Sequence, residues 1–255
     1  MLTKLEWHAR FRQQARWTQD LRRYLFERTG IENAKRVLEV GCGTGAILSD
    51  LSSQIPFQAG VDFDLAFLQV VMRKSSRQAK LTQGDGHSLP YPNGCFDFTF
   101  CHFLLLWVDD PLLVLREMRR VTRPGGAVMA LAEPDYGGRI DYPEVLSILG
   151  NWQRESLENQ GADPLMGRKL SGIFHQAGLE SIETGALGGQ WSESLDWSAW
   201  ESEWAVLESD LEKIFQDSES WKILKETDKS AYEKGERVLF VPTFYAWGVV
   251  PKSTR

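Results

Sequence analysis

Apolar residues along the chain recur with two different periods, and the switching between them predicts the architecture. Residues 4–29 carry apolar positions at helical spacing, with Leu5, Phe11, Leu21 and Leu25 among those expected to face inward, and Gly30 stands where a helix ends. Lys35-Arg36-Val37-Leu38-Glu39-Val40 then reads as a short strand that stops at a glycine cluster. A helix over about 44–54, a strand over 57–62 and a helix over 64–75 follow, then strands near 79–83, 96–101 and 126–133 and a helix from Pro111 to Val121. Strand–helix alternation with near-continuous apolar strands predicts a doubly wound α/β domain, a parallel sheet covered by helices on both faces with right-handed crossovers.

After Glu133 the alternation loosens. Helices are expected over about 143–159 and 167–177, the second closed by Gly178, then a strand near 179–187 and a break at Gly188-Gly189. Residues 190–233 hold twelve acids against four lysines, together with Trp191, Trp197, Trp200, Trp204 and Trp221. Amphipathic helices that turn the aromatics inward and the acids to water explain that mixture. The last apolar run, Val238 to Val250, reads as a strand broken at Pro242. The expectation is one domain: a core of about 30–135, 165–190 and 238–250, an N-terminal helix over 1–29, and an inserted helical cap over about 140–160 and 190–235.

Composition narrows the chemistry. A net charge of −6 argues against gripping nucleic acid or lying on an anionic membrane. The longest apolar run, Phe103 to Val108, is too short to cross a bilayer, and the N-terminal segment lacks a signal peptide's apolar centre. Cys42, Cys95 and Cys101 form no CxxC pair, so reduced thiols, no metal site and a cytoplasmic location are expected.

The clearest local signal is Glu39-Val40-Gly41-Cys42-Gly43-Thr44-Gly45-Ala46 at the end of the first strand. Glycines there let the backbone turn sharply and let a ligand approach the amides, at the carboxyl edge where such sheets bind ligands. Gly41-x-Gly43-x-x-Ala46 also satisfies the dinucleotide fingerprint, and Asp62, placed to bind ribose hydroxyls, serves either ligand. Glu39 favours the other reading: a carboxylate two residues before the first glycine repels a pyrophosphate and attracts a ligand carrying an ammonium and a sulfonium, by a few kcal/mol at an effective dielectric of about 20.

Val37 to Gly45 (VLEVGCGTG), Gly60-Val61-Asp62, the block Gly84 to Asn93 (GDGHSLPYPN) with Phe96-Asp97, and Arg120 to Gly126 (RVTRPGG) stand in the order and spacing of a known family. The chain resembles class I S-adenosylmethionine-dependent methyltransferases, in the small-molecule branch with the menaquinone and ubiquinone C-methyltransferases. The resemblance implies a Rossmann-like, seven-stranded, mostly parallel sheet with an antiparallel final strand. It also implies S-adenosyl-L-methionine as cofactor: Glu39, Gly41, Cys42, Gly43 and Gly45 lining the methionine end, Asp62 on the ribose, Phe63 or Asp64 flanking the adenine. Asp85 would accept from the adenine amino group with Gly86 and His87 beside it, and Cys101 would close the pocket near the sulfonium. A leading helix that closes over the cofactor would bring Arg12 or Arg16 to the methionine carboxylate.

The acceptor side is less defined. His102, at the sheet edge, and Tyr136 are candidate catalytic groups; Trp7, Phe11, Glu133, Asp135 and Arg139 are candidate acceptor contacts. His8 and His175 have no motif around them and read as ordinary helix residues. Where relatives carry a His-His pair this chain has Leu106-Trp107, which makes the pocket more apolar. The expected activity is methyl transfer to a small apolar or aromatic acceptor by a monomer or homodimer, with oxygen, carbon and nitrogen all open as the methylated atom. The alternatives are a protein that binds the cofactor without turnover and a nicotinamide-dependent oxidoreductase.

Overall fold

The computed structural model describes residues 3–252 except 52, 75–78, 189–195, 213 and 216–218. Gly189 and Trp191, two of the twelve acids (Glu193 and Asp217) and one of the four lysines (Lys213) lie outside the described residues. The strands are β1 (Arg36–Val40), β2 (Phe57–Asp62), β3 (Lys80–Gln83), β4 (Phe96–Cys101), β5 (Thr122–Pro134), β6 (Ile140–Tyr142), β7 (Glu180–Leu187), β8 (Val238–Phe240) and β9 (Thr243–Val249). The helices are α1 (Lys4–Trp17), α2 (Gln19–Thr29), α3 (Leu65–Lys74), α4 (Pro111–Val121), α5 (Ser147–Asn159), α6 (Met166–Gln176), α7 (Trp197–Leu211) and α8 (Glu219–Glu233).

Seven strands form one sheet in the order β3-β2-β1-β4-β5-β9-β7, and β6 pairs with β8 in a separate ribbon. Strands β1 to β5 are mutually parallel, and β9 runs antiparallel between β5 and β7. This is the doubly wound, Rossmann-like sheet expected from the sequence. Alternate strand residues feed two cores. Leu38, Val40, Val61 and Val128 pack with Leu115 and Met118 of α4 and Phe174 of α6. Val37, Phe100, Met129 and Leu131 pack with Leu25 of α2 and with Ile31, Leu48 and Leu51. Burial on both faces explains the near-continuous apolar strands.

Two of the sequence blocks are explained by what they hold. Asp97 accepts from the amides of Lys35 and Arg36 at 2.8 and 2.9 Å and from Arg123 Nε at 2.6 Å, clipping the start of β1 to β4. Gly126 lies so close to the same corner that a Cβ would sit 2.3 Å from the Asp97 carbonyl oxygen. Arg120 donates to the carbonyls of Leu89 and Tyr91 and to Asn93 Oδ1, gathering the loop before β4.

The structure departs from the pattern-based reading at the N-terminus and after the glycines. The helix expected over 4–29 breaks at Thr18, and Leu5 is 60% exposed, while the charged Arg10 and Arg22 are buried in its place. Among the described residues of 44–54 no regular α-helix forms. Gly45 at φ 67° leaves the helical region, and the Leu48 amide donates to the Glu39 carboxylate instead of to a helical carbonyl, so only a 3₁₀ turn over Leu48–Asp50 remains.

A third core joins Leu146 and Leu149 to Trp204, Leu207, Leu211 and Trp221, so two of the acidic segment's tryptophans face inward as expected. Beside it runs a buried chain of charges: Arg139 pairs with Asp141 at 2.6 Å, Asp141 with Arg237 at 2.7 Å, and Arg237 with Asp228 at 2.6 Å. Among the described residues no helix is long and apolar enough to cross a membrane. Asp141→Ala leaves buried Arg139 without a carboxylate and takes one of two from Arg237, which keeps Asp228, and urea unfolding is expected to show a loss of about 3–5 kcal/mol.

Candidate active site

The glycine loop is built from backbone that only glycine adopts without strain. Gly41, Gly43 and Gly45 sit at φ 70°, 49° and 67°. A Cβ on Gly41 would lie 2.6 Å from a methyl carbon of Leu104, so the loop's open space is real and narrow. Gly41 and Cys42 both donate to the Val61 carbonyl, at 2.8 and 3.0 Å, which aligns the loop with the end of β2. There Asp62 takes the Gly43 amide at 2.6 Å on one oxygen and the Asp64 amide at 2.8 Å on the other. Burial raises its carboxyl above the ordinary range, and the two amides oppose that rise.

Glu39 is 2% exposed and accepts from the Leu48 amide at 3.1 Å. Burial pushes its carboxyl well above the usual carboxylate range, against that hydrogen bond and the charge of Arg22. Cys42 contributes backbone only: its sulfur packs where a Cβ on Gly60 would come within 2.7 Å. Cys101 is fully buried in the core, and burial holds both thiols well above their usual pKa, so neither is a nucleophile.

The far wall is the turn after β3. Asp85 Oδ1 accepts from the His87 amide at 2.9 Å and contacts His87 Nδ1 at 2.7 Å, while the Asp110 amide donates to His87 Nε2 at 3.4 Å. That pattern puts the ring proton on Nδ1 and leaves Asp85 Oδ2 open among the described residues. Gly86 follows, where a Cβ would meet only ordinary contacts with Val40 and Val114. Phe63 is 80% exposed between these walls. Asp64 caps α3 through the Ala66 amide and pairs with Lys4. A carboxylate at a strand end, an uncovered aromatic ring, an open carboxylate oxygen and a glycine cradle suit a ribose, a purine, its amino group and a slender charged tail. The residues present fit an adenosyl amino acid.

A family model described as "Methyltransferase domain" matches residues 38–130. The demethylmenaquinone methyltransferase of Geobacillus kaustophilus (strain HTA426) is 30% identical over 193 residues, covering 68% of this chain and 81% of the relative. The chain belongs to the S-adenosylmethionine-dependent methyltransferases. Its fold is shared by the methyltransferase in the complex with the Haloferax volcanii Trm112 methyltransferase activator (TM-score 0.62, 17% identity, 97% and 96% of the two chains). It is shared too by the Haemonchus contortus phosphoethanolamine N-methyltransferase 2 in complex with S-adenosyl-L-methionine (TM-score 0.59, 17% identity, 92% and 53%).

In this methyltransferase α1 lies across the glycine loop. Phe11 packs 3.2 Å from where a Gly43 Cβ would stand and meets Phe67 at 5.3 Å, with Trp7 beside it at 5.7 Å. His8 Nδ1 reaches Thr44 Oγ1 at 2.8 Å, so this histidine touches the glycine loop, which its sequence context did not signal. Arg12 donates to Ser49 Oγ at 3.0 Å, and His175 stays on α6 bonded to the Ser171 carbonyl.

Just past the end of β4, His102 Nε2 contacts Thr18 Oγ1 at 2.9 Å, and burial brings the imidazole down to about 3, so it is neutral near pH 7. Phe103 holds the left-handed φ of 51°, its ring 4.4 Å from His102; such a conformation costs about 1–3 kcal/mol and clusters at functional sites. Burial pushes the Tyr136 phenol up to about 12.

Three expected acceptor contacts are occupied elsewhere. Glu133 is fully buried and takes the amides of Leu104, Leu105 and Leu106 at 3.0, 2.9 and 3.2 Å. Asp135 bonds Arg168 and the Gly137 amide, and Arg139 belongs to the Asp141 charge chain and bonds Gln153. Each acid meets backbone groups that would otherwise be orphaned at the sheet edge, a demand invisible in a motif.

Burial raises the Glu133 carboxyl from 4.5 to about 7, against its three amide donors. The unfolded chain therefore releases this proton first, and between about pH 4.5 and 7 the folded state binds more protons, so stability falls as pH rises, by at most about 1.4 kcal/mol per unit. Glu133→Gln is expected to flatten that part of the profile relative to the wild type in urea unfolding across pH 4.5–8.

Proposed function

We propose that the chain transfers the methyl group of S-adenosyl-L-methionine to a small, largely apolar or aromatic acceptor seated between the carboxyl edge of the sheet and helices α1, α5 and α7. The bound cofactor supplies an electrophilic methyl carbon on a sulfonium. The chain's own residues hold it at the glycine loop, Asp62, Phe63 and Asp85, cover it with α1, and keep water from the transfer edge. The observation that carries the reading is the glycine cradle joined to Asp62: three left-handed glycines, with one strand-end carboxylate bonded to the Gly43 amide.

His102 and Tyr136 stand at the edge in neutral forms, about 3 and about 12. Neither is poised near pH 7 as a general base, so their part is to orient the acceptor by hydrogen bonding rather than to abstract a proton. Alignment and exclusion of water then supply most of the rate. The quinone in the relatives' name, demethylmenaquinone, supports an aromatic acceptor. The single domain is proposed to work as a cytoplasmic monomer or homodimer, with α5, α7 and α8 as its cap.

S-adenosylhomocysteine at a hundredfold excess over Kd is expected to stabilise the protein by about 2.7 kcal/mol, read as a rise in Tm, and NAD to leave Tm unchanged. The opposite pattern would overturn the assignment. Asp62→Asn and Phe63→Ala should each weaken S-adenosylhomocysteine binding in calorimetry; loss of a stacked aromatic ring costs about 1–3 kcal/mol. Labelled methyl transfer to reduced demethylmenaquinone tests the acceptor class directly.

A further inference from the structure

The break between α1 and α2 belongs to a buried polar chain that ends on His102. Thr18 stands at the break and Arg22 one turn into α2, and both are buried. Arg22 Nη2 donates to Oδ2 of Asp50, in the 3₁₀ turn after the glycine loop, at 2.6 Å. Arg22 Nη1 donates to Thr18 Oγ1 at 2.6 Å and to the Ala15 carbonyl. Thr18 Oγ1 in turn meets His102 Nε2 at 2.9 Å. A carboxylate, a guanidinium, a hydroxyl and an imidazole are thus joined in series.

The single proton of that hydroxyl decides the tautomer of the ring. A hydroxyl has one proton to give and two lone pairs. Arg22 can only donate, so it occupies one lone pair. The carbonyls of Gln14 and Ala15 lie 3.3 and 3.4 Å from Thr18 Oγ1, beyond the ordinary O–H···O range of about 2.5–3.0 Å. His102 Nε2 is the nearer acceptor, and the guanidinium polarises the hydroxyl into a stronger donor. With Nε2 accepting, the proton of the neutral ring sits on Nδ1.

Nδ1 has no partner among the described residues, and it is not among the sealed unpartnered nitrogens, which are those of Arg10, Arg119 and Trp247. It therefore opens on free space. Val40 and Cys101 are register partners in the parallel pair β1–β4, so Gly41 and His102 leave the sheet side by side. We propose that Thr18 is a positioning residue for methyl transfer: its hydroxyl, held by Arg22 and Asp50, fixes His102 as the Nδ1–H tautomer and makes it a hydrogen-bond donor beside the glycine loop. The helix that ends at Thr18 also lays His8 and Phe11 against that loop. The ring is therefore set only when α1 is seated, which couples covering of the loop to orientation of the donor. The proposal rests on the methyltransferase reading and adds to it a residue that acts through His102.

Long-range ¹H–¹⁵N NMR near pH 7 reads the tautomer directly. The chain has four histidines, and the His102 signals are those missing from His102→Gln. In wild type Nδ1 is expected to resonate as a protonated, pyrrole-type nitrogen and Nε2 as a pyridine-type one. The Nδ1 signal should shift when S-adenosylhomocysteine binds. Thr18→Val keeps the shape of the side chain without its hydroxyl, and its His102 should revert to the Nε2–H form that free imidazole side chains favour. Thr18→Ser should restore the wild-type pattern. In labelled transfer to reduced demethylmenaquinone, Thr18→Val is expected to lower kcat about tenfold, the size of one hydrogen bond, with the KM for S-adenosyl-L-methionine unchanged. An Nε2–H ring in wild type, an Nδ1–H ring or full kcat in Thr18→Val, or an Nδ1 signal indifferent to bound S-adenosylhomocysteine would overturn the role of Thr18 and leave the cofactor assignment standing. Failure of S-adenosylhomocysteine to bind wild type would overturn both.

Discussion

Where a parallel sheet ends, backbone amides of the loops beyond it lose their partners, and this structure meets that demand with carboxylates at the ends of its strands. Glu39 takes the Leu48 amide, Asp62 those of Gly43 and Asp64, and Glu133 those of Leu104, Leu105 and Leu106. Glu39 ties down the loop that follows its own strand, whereas Asp62 and Glu133 also bind loops that follow neighbouring strands, so the edge becomes rigid before a ligand reaches it. A site held this way needs little reorganisation on binding, which is the condition under which fixed dipoles act most strongly on a reacting group.

The same constraint explains which parts of the site were legible in the sequence. Glycines at 41, 43 and 45 announce left-handed backbone, and Asp62 falls at a strand end because β2 is short and apolar. Glu133 gives the same signal, an acid at the end of an apolar strand, yet its oxygens serve three amides of a neighbouring loop. Nothing local separates the two cases, because the distinction lies in residues 27 to 29 positions away. Hydropathy likewise misplaced Leu5 and gave no hint that Arg10 and Arg22 are buried, since their partners come from Glu203 and Asp50.

The fold was more legible than the site because its determinants are periodic. Strand–helix alternation, the Pro111 helix start and the interruption at Pro242 all carry local signals, and the observed elements follow them closely. The failed helix over 44–54 is the instructive exception: a hydrogen bond from the Leu48 amide to Glu39 and a left-handed Gly45 overrode a locally acceptable helical pattern.

The position of β9 has its own consequence. Because β7 joins the sheet only through β9, the strand made earlier must wait for the one made later. During synthesis the outer side of β5 stays open until β9, more than a hundred residues further on, has emerged, so the nascent protein carries an unpaired edge over that interval. Sealing that edge makes β9 the closing step in assembling the sheet.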